Sequence, residues 1–158
     1  MKNIVIFGAP GSGKGTQSDK IIAEYGVAHI STGDVLRGEI KAGTELGNTA
    51  SAYIHAGKLV PDSLIIDMLA KTLDAKGKDI KGVIFDGFPR TIAQAEALNA
   101  MLAERGEQVS VVIGLEVDDE ELIKRIIARG KISGRADDNE ETAKKRLDTY
   151  DSQTLPLK

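Results

Sequence analysis

The chain has no cysteine and no tryptophan, and aromatic residues make up only 4% of its 158 positions. The lack of cysteine excludes disulfides, thiolate catalysis and cysteine-ligated zinc, and it suits a reducing compartment, so we expect a cytoplasmic protein. The core must be built from aliphatic side chains. No apolar run approaches the ~20 residues of a membrane span, and the short run after Met1 lacks the features of a signal peptide.

A strong positive charge is also absent, since the formal net charge is -3. The overall electrostatics therefore do not indicate nucleic acid or an acidic membrane as a partner. The length fits one compact domain covering residues 1–158. No strip of apolar residues requires a second copy, so we expect a monomer.

Apolar runs alternate with helical patterns, which predicts an α/β fold with parallel strands joined by crossover helices. The runs predicted to be strands span residues 4–7, 27–31, 82–86 and 109–115. A helix is predicted from Lys14 to Tyr25 and ends at Gly26. Two short helices, about 33–42 and 45–56, have few large apolar residues and are expected to extend away from the core.

Local signals predict where the other helices begin and end. Thr91 precedes Gln94 by three residues, and Asp118 precedes Glu121 by three, which are capping-box spacings. Residues 130–138 are polar and resemble a surface loop. Left-handed glycine caps are predicted at Gly57, Gly77, Gly106 and Gly130.

The most informative segment is the glycine-rich loop at residues 8–16, between the first predicted strand and the first predicted helix. Glycines allow successive backbone N–H groups to point at one oxyanion, and the helix N-terminus adds partial positive charge. Lys14 supplies a full charge for terminal phosphates. The usual P-loop pattern has Ser or Thr after the lysine, but here Gly15 occupies that position and Thr16 follows. The alternative is a glycine-rich turn that binds no ligand.

Asp86 ends the third predicted strand, at the edge where α/β folds place ligand chemistry. In P-loop proteins such a carboxylate helps to hold the Mg²⁺ of the nucleotide. The alternative is a turn or cap residue, since Gly87 follows.

Seven arginines stand beside these motifs: Arg37, Arg90, Arg105, Arg125, Arg129, Arg135 and Arg146. Arginines are usually solvated surface charges, but phosphoryl transfer needs positive charge against its transition state. The two histidines, His29 and His55, have no metal-like spacing, and no Ser-His-Asp or paired-carboxylate arrangement is evident. A site that has cations but no general base suits phosphoryl transfer to another phosphate better than phosphoryl transfer to an alcohol.

With these motifs the chain resembles the adenylate kinases over nearly its whole length. The resemblance rests on residues 8–16, Ser31–Asp34 with Arg37, Gly57–Asp62, Asp86–Arg90 with Gln94, Arg129, and Ser133–Asp138. It implies a three-layer P-loop fold with a central parallel sheet and reversible phosphoryl transfer from ATP to AMP. It also implies Mg²⁺ as cofactor and ATP, AMP and ADP as ligands. No zinc is expected, since the short lid has no cysteine.

The resemblance also implies roles for particular residues. The catalytic set is Lys14, Arg90, Arg129, Arg135 and Arg146. Asp86 would hold Mg²⁺ through water. ATP would be bound by Gly11, Ser12, Gly13, Lys14, Gly15, Thr16, Arg125 and Arg129. AMP would be bound by Thr32, Arg37, Lys58, Leu59, Val60, Gly87, Phe88, Pro89, Arg90, Gln94, Arg135 and Arg146.

Two insertions complete the implied architecture: an AMP-binding flap at residues 31–60 and a short ATP lid at residues 128–138. Gln94 would read the adenine edge through its amide, and its alternative role is as the capping partner of Thr91. The related uridylate/cytidylate kinases tend to have Ala and Asn where this chain has Thr32 and Gln94. AMP is therefore the predicted acceptor.

The family normally continues past Leu155–Leu157 with one more parallel strand and a final helix, whereas this sequence stops at Lys158. We expect exposed apolar surface on the fourth strand, at Val111, Ile113 and Leu115.

Two other functional classes remain open. One is a nucleotide-binding sensor without turnover, and the other is a GTPase-type switch, although the chain has no Asn-Lys-x-Asp guanine motif.

Overall fold

The computed structural model describes residues 2–58, 60–134 and 138–157. Within these residues it forms an α/β fold with one parallel sheet, as predicted, and the strand order is β2-β3-β1-β4. The strands are β1 (Lys2–Gly8), β2 (Ala28–Ser31), β3 (Gly82–Asp86) and β4 (Val109–Leu115). The helices are α1 (Lys14–Tyr25), α2 (Thr32–Ala42), α3 (Glu45–His55), α4 (Asp62–Lys76), α5 (Ile92–Glu104), α6 (Asp119–Ser133) and α7 (Glu140–Thr149), followed by a π-helical turn (Tyr150–Thr154) and a 3-10 turn (Leu155–Leu157).

The sheet is covered on both faces, because alternate residues of a strand point to opposite sides. Val5 of β1 packs into the main core with α4 and α5, whereas Ile4 and Ile6 pack against α1 on the other face. Both central strands therefore read as continuous apolar runs. Among the helices described here, none is both long and apolar enough to cross a membrane.

The prediction that α2 and α3 extend away from the core is wrong in part. Leu36 of α2 and Ala50 of α3 are fully buried members of the main core, and Leu46, Tyr53 and Ile54 pack against it. Small residues on these helices allow close packing against each other. At Gly47 a Cβ would overlap the backbone of Glu39, so the shortage of large apolar residues here reflects close contact between the helices rather than exposure.

Strand register brings the functional loops to one edge of the sheet. Asp86 at the end of β3 lies beside Ile6 of β1 and Ser31 of β2. Because all the described strands run parallel, the loop after β1, the start of α2 and the loop after β3 share one edge. Ligands of open α/β sheets bind at this carboxyl edge.

Strand β4 lies at the end of the sheet and has one paired neighbour, β1. Val111 is 45% exposed, as expected, and Val112 is 55% exposed, which the sequence analysis did not anticipate. The expectation for Ile113 and Leu115 is wrong in degree, because both are half-buried against the Ile4–Ile6 core. Their side chains face α1, whereas Val112 points to the opposite face of the sheet.

The capping predictions divide into correct and incorrect ones. Gly26 ends α1 in the left-handed conformation, and Thr91 caps α5 by accepting from the Gln94 N–H at 3.2 Å. Asp118 makes no side-chain cap bond, so that prediction is wrong. Gly130 also does not end a helix, since α6 continues to Ser133 and is capped at Gly134. The loop predicted from residue 130 therefore begins later, and Arg135, Ala136 and Asp137 lie outside the described residues.

Gly130 is explained by tertiary contact rather than by helix termination. A Cβ at this position would overlap the backbone carbonyl and the side chain of Asp138. Gly38, in contrast, lies inside α2 with open space around its Cβ position. The two helical glycines thus form a natural pair for testing the contact.

We expect Gly130→Ala to destabilise the fold by about 1–3 kcal/mol, because the overlap outweighs the gain in helix propensity. Gly38→Ala should instead stabilise it by about 0.4–1 kcal/mol. Urea unfolding of both variants measures the difference. Stabilisation by both substitutions would contradict the close contact at Asp138.

Candidate active site

Among the described residues, two pockets open at the carboxyl edge of the sheet and share a wall. The glycine-loop pocket is lined by Gly11, Gly13, Gly15, Thr16, Ser31, Asp34, Asp86, Arg125 and Arg129. The apolar pocket is lined chiefly by Leu36, Ile54, Val60, Ile65, Phe88 and Gln94. The residues common to both are Pro10, Lys14, Gly33, Arg37, Gly87, Arg90 and Arg146. Four of these shared residues are cations.

The glycine loop forms as the sequence predicts. Gly13 caps α1 with φ 95°, a conformation that favours glycine, and α1 begins at Lys14. The Lys14 Nζ donates to the carbonyl oxygens of Gly8 and Ala9, at 3.1 and 3.4 Å. The helix N-terminus and the lysine thus face one pocket, as an anion site requires. Ser12 is buried behind the loop and does not line the pocket.

Lys14 has an unusual protonation equilibrium. Burial, aided by the nearby positive charges of Arg90 and Arg146 and opposed by Asp86, lowers its pKa to about 7. A cation held among other cations is destabilised in the unliganded site. A bound polyanion would reverse this effect by supplying negative charge.

Arg90 and Thr32 converge on the loop after β3. The Arg90 Nε and the Thr32 Oγ1 both donate to the Gly87 carbonyl oxygen, at 2.7 and 3.3 Å. Gly87 has φ 83°, and a Cβ there would lie 3.1 Å from atoms of both side chains. Glycine therefore allows an arginine and a threonine to meet at the wall between the two pockets.

A buried carboxylate holds two further arginines. Asp138 is fully buried and accepts two bonds from Arg129, Nε to Oδ2 and Nη2 to Oδ1, both at 2.8 Å. The Nη1 of Arg146 lies 3.5 Å from Oδ1 of the same carboxylate. A bidentate pair fixes a guanidinium in position and direction. Asp138 therefore fixes the Arg129 guanidinium and forms an ion pair with Arg146, which connects α6 to α7 at the pocket wall.

The Asp86 carboxylate lines the glycine-loop pocket and has a hydrogen-bond partner in His29. The Nε2 of His29 is 3.3 Å from Oδ2, and this bond raises the pKa of His29 against the opposing effect of burial. In the part of the chain described, no group of three or more His, Asp or Glu side chains forms a metal cage. Asp34, Asp86 and Thr16 do supply oxygen atoms to this pocket. That donor set fits Mg²⁺ held mainly by water and phosphate oxygens.

The comparisons with known proteins agree with this geometry. The adenylate kinase family profile matches residues 6–158. The chain is 70% identical to the adenylate kinases of Phocaeicola vulgatus and Bacteroides thetaiotaomicron, over 99% of its length and 82% of theirs. It is 60% identical to that of Porphyromonas gingivalis, over 99% of its length and 80% of that protein. This chain belongs to the adenylate kinase family.

The structure brings together most residues for which the adenylate kinase resemblance implied a role. Of the residues expected to contact ATP, all except Ser12 line the glycine-loop pocket. Of the residues expected to contact AMP, all that are described line the apolar pocket. Leu59 and Arg135 lie outside the described residues. The nucleotide roles themselves remain predictions.

Sequence reasoning missed several residues of this adenylate kinase site. In the sequence, Asp138 is marked only as part of the Ser133–Asp138 motif, and its pairing with Arg129 and Arg146 depends on how α6 packs on α7. Thr149, Tyr150 and Thr154 line the apolar pocket, and the Thr154 hydroxyl donates to the Arg90 carbonyl oxygen at 2.6 Å. No periodic or motif signal marks these positions, because they lie at the end of α7 and in the following turn, and only the folded chain brings them to the pocket.

The pairing of Asp138 with Arg129 can be compared with an exposed ion pair on α6, the helix that carries Arg129. This pair is Arg125–Glu121, at 3.0 Å. We expect Asp138→Asn to lower the free energy of unfolding by about 2–3 kcal/mol, because a buried carboxylate is replaced beside two cations. Glu121→Gln should change it by less than about 0.5 kcal/mol. If urea unfolding showed the same loss of stability for both substitutions, the buried Asp138 pairing would contribute no more to stability than the exposed Glu121 pair.

The lowered pKa of Lys14 predicts proton uptake when ATP binds. Phosphate oxygens favour the charged lysine, so its pKa rises on binding, and uptake should approach one proton near pH 8 and fade at about pH 6. Calorimetry in buffers of different ionisation enthalpy measures this number. Lys14→Arg stays charged throughout and should show no such uptake. Equal uptake in the two proteins would assign the proton to another group.

Proposed function

We propose that this chain catalyses reversible phosphoryl transfer from ATP to AMP, giving two ADP. The observation that carries the proposal is the wall shared by the two pockets, which is lined by Lys14, Arg37, Arg90 and Arg146. A pocket that suits a polyphosphate and a pocket that suits a base and one phosphate meet at these cations. Transfer between two phosphates requires this arrangement, because both donor and acceptor are anions.

ATP would occupy the glycine-loop pocket. Backbone N–H groups from Gly11 to Thr16 and the N-terminus of α1 favour the β- and γ-phosphates. The Lys14 ammonium would exchange its bonds to the carbonyl oxygens of Gly8 and Ala9 for bonds to the phosphoryl group that is transferred. Arg125, at the outer end of this pocket, is available to pack against the adenine face.

AMP would occupy the apolar pocket. Leu36, Ile54, Val60 and Ile65 provide an apolar lining for the base, and Gln94 adds polar atoms for its edge. Arg37 and Arg90 line the end of this pocket that adjoins the glycine loop, so the AMP phosphate would face the γ-phosphate of ATP.

The reaction needs positioning and positive charge rather than a base. The AMP phosphate is already an anionic nucleophile, so no proton must be removed before it attacks. Arg90, Arg129 and Arg146 would neutralise charge on the equatorial oxygens of the transferred group. Asp138 holds the Arg129 guanidinium in place through two bonds and pairs with Arg146 before the ligands arrive, which lowers the cost of ordering them.

Adenylate kinases use Mg²⁺ in this transfer, and the described residues offer a suitable site. Asp86 would hold the ion through water beside the phosphates of ATP, with Asp34 and Thr16 near it. The ion would supply additional neutralisation of the negative charge on the phosphates. Gly15 has no hydroxyl group, so the direct Ser/Thr ligand of many P-loop proteins is absent here.

Two segments are proposed to close over the ligands, residues 31–60 on the AMP side and 128–138 on the ATP side. Their closure would exclude water, which competes with AMP as a phosphoryl acceptor. The AMP-side segment is tied to α7, because the Thr142 and Thr149 hydroxyls of α7 donate to the carbonyls of His55 and Gly57, at 3.4 and 3.3 Å.

The direct test is ADP formation from ATP and AMP with Mg²⁺, with UMP and CMP as parallel acceptors. We expect turnover with AMP and little with the pyrimidine nucleotides. Lys14→Met should reduce kcat by about 10²–10³-fold, because a charge aimed at the transition state is lost. Lys20→Met makes the same change at an exposed position of α1 and should leave kcat unchanged. Binding of ATP and AMP without turnover would instead support a nucleotide sensor.

A further inference from the structure

The side chain of Gln94 is held on both sides of its amide. Gln94 is 2% exposed and lies in the wall of the apolar pocket. Its Oε1 accepts from the backbone N–H of Arg90 at 2.7 Å, and its Nε2 donates to Oδ1 of Asp62 at 2.6 Å. A capping box would instead direct the glutamine to the N–H of Thr91, so that alternative is wrong in this detail.

The two partners fix which end of the amide carries the nitrogen. A backbone N–H can only donate, and an ionised carboxylate can only accept. If the amide were rotated by 180°, its NH₂ would face the N–H of Arg90 and its oxygen would face the Asp62 carboxylate. Both contacts would become repulsive. Asp62 opens α4, where the helix dipole favours a negative charge, and so it suits this acceptor role.

The fixed amide still has unused bonding capacity. A primary amide offers two N–H donors and two lone pairs, of which one each is used here. One donor and one acceptor therefore remain available on Gln94. The edge of a 6-aminopurine presents an N6 donor next to the N1 acceptor, which matches this pair. A 6-oxopurine presents an O6 acceptor next to an N1–H donor, which is the reverse order and would require the rotated amide.

We propose that Asp62 is a specificity-determining residue that positions Gln94 to accept 6-aminopurine nucleoside monophosphates and to reject 6-oxopurine ones. The proposal rests on the proposed function, since it assigns the apolar pocket to the base of the acceptor. Asp62 acts through Gln94 and is a positioning residue. A site built to bond one arrangement of donor and acceptor rejects the other strongly, because the buried amide would be left facing like groups.

Asp62→Asn is the informative substitution, because an Asn amide can either accept or donate. It would tolerate both orientations of Gln94, leaving only the Arg90 N–H to oppose rotation. Asp62→Glu keeps a group that only accepts. Asp74→Asn removes the same charge at an exposed position of the same helix, where Asp74 pairs with Arg105.

The experiment compares kcat/KM for AMP and for IMP, which differs at position 6 and has no added 2-amino group. We expect the AMP-to-IMP ratio to fall roughly tenfold in Asp62→Asn, which is the effect of losing one hydrogen bond to a charged group. The ratio should remain near that of the wild type in Asp62→Glu and in Asp74→Asn. Loss of rate with both acceptors in proportion would reflect a merely structural role.

The possible outcomes separate this inference from the proposed function. Turnover of AMP by the wild type with an unchanged ratio in Asp62→Asn would overturn the role of Asp62 and leave the kinase activity standing. Absence of turnover with every acceptor would overturn the proposed function. Calorimetric affinities of AMP and IMP for the wild type and Asp62→Asn would then decide the inference, since it requires the same roughly tenfold loss of discrimination in binding.

Discussion

The accumulation of positive charge at one edge of the sheet is the constraint on which the site depends. Like charges at close range repel, and burial makes the repulsion stronger. Each cation is therefore held by an acceptor supplied by the fold. Lys14 and Arg90 rest on backbone carbonyls, while Arg129 and Arg146 share the Asp138 carboxylate. Arg37 and Arg125 each form an ion pair with an exposed carboxylate, that of Asp34 and that of Glu121 respectively.

The parallel sheet makes this arrangement possible. Because the register aligns the carboxyl ends of β1, β2 and β3, three separate loops contribute to one wall without any long connection. The glycine-loop pocket is lined by the loop after β1 and by several cations, whereas the apolar pocket takes residues from helices α2 to α5 and from the loops beside them. The same helices contribute to the main core, so packing of the core also shapes the apolar pocket. Leu36, Val60, Ile65 and Phe88 belong both to the core and to the lining of this pocket.

Predictions from local pattern were accurate where local forces decide the structure. The strands, α1 with its Gly26 cap and the Thr91 cap follow from apolar runs and short-range hydrogen bonds. Predictions failed where a distant segment decides the structure. Gly130 resembles a helix cap in the sequence, but it lies inside α6. A glycine fits there because the Asp138 backbone approaches it closely. The small residues of α2 and α3 resemble an exposed excursion, but they allow close packing within the core.

The sequence by itself determined the glycine loop, the inventory of cations without a base, and the family, because these depend on residue type and short spacing. Only the tertiary structure decided how those groups are oriented. The bond from Asp62 to Gln94 joins residues 32 apart, and the pairs formed by Asp138 depend on how α6 meets α7. Such contacts are set by the angles at which helices pack, to which many distant side chains contribute small amounts. No local pattern records them.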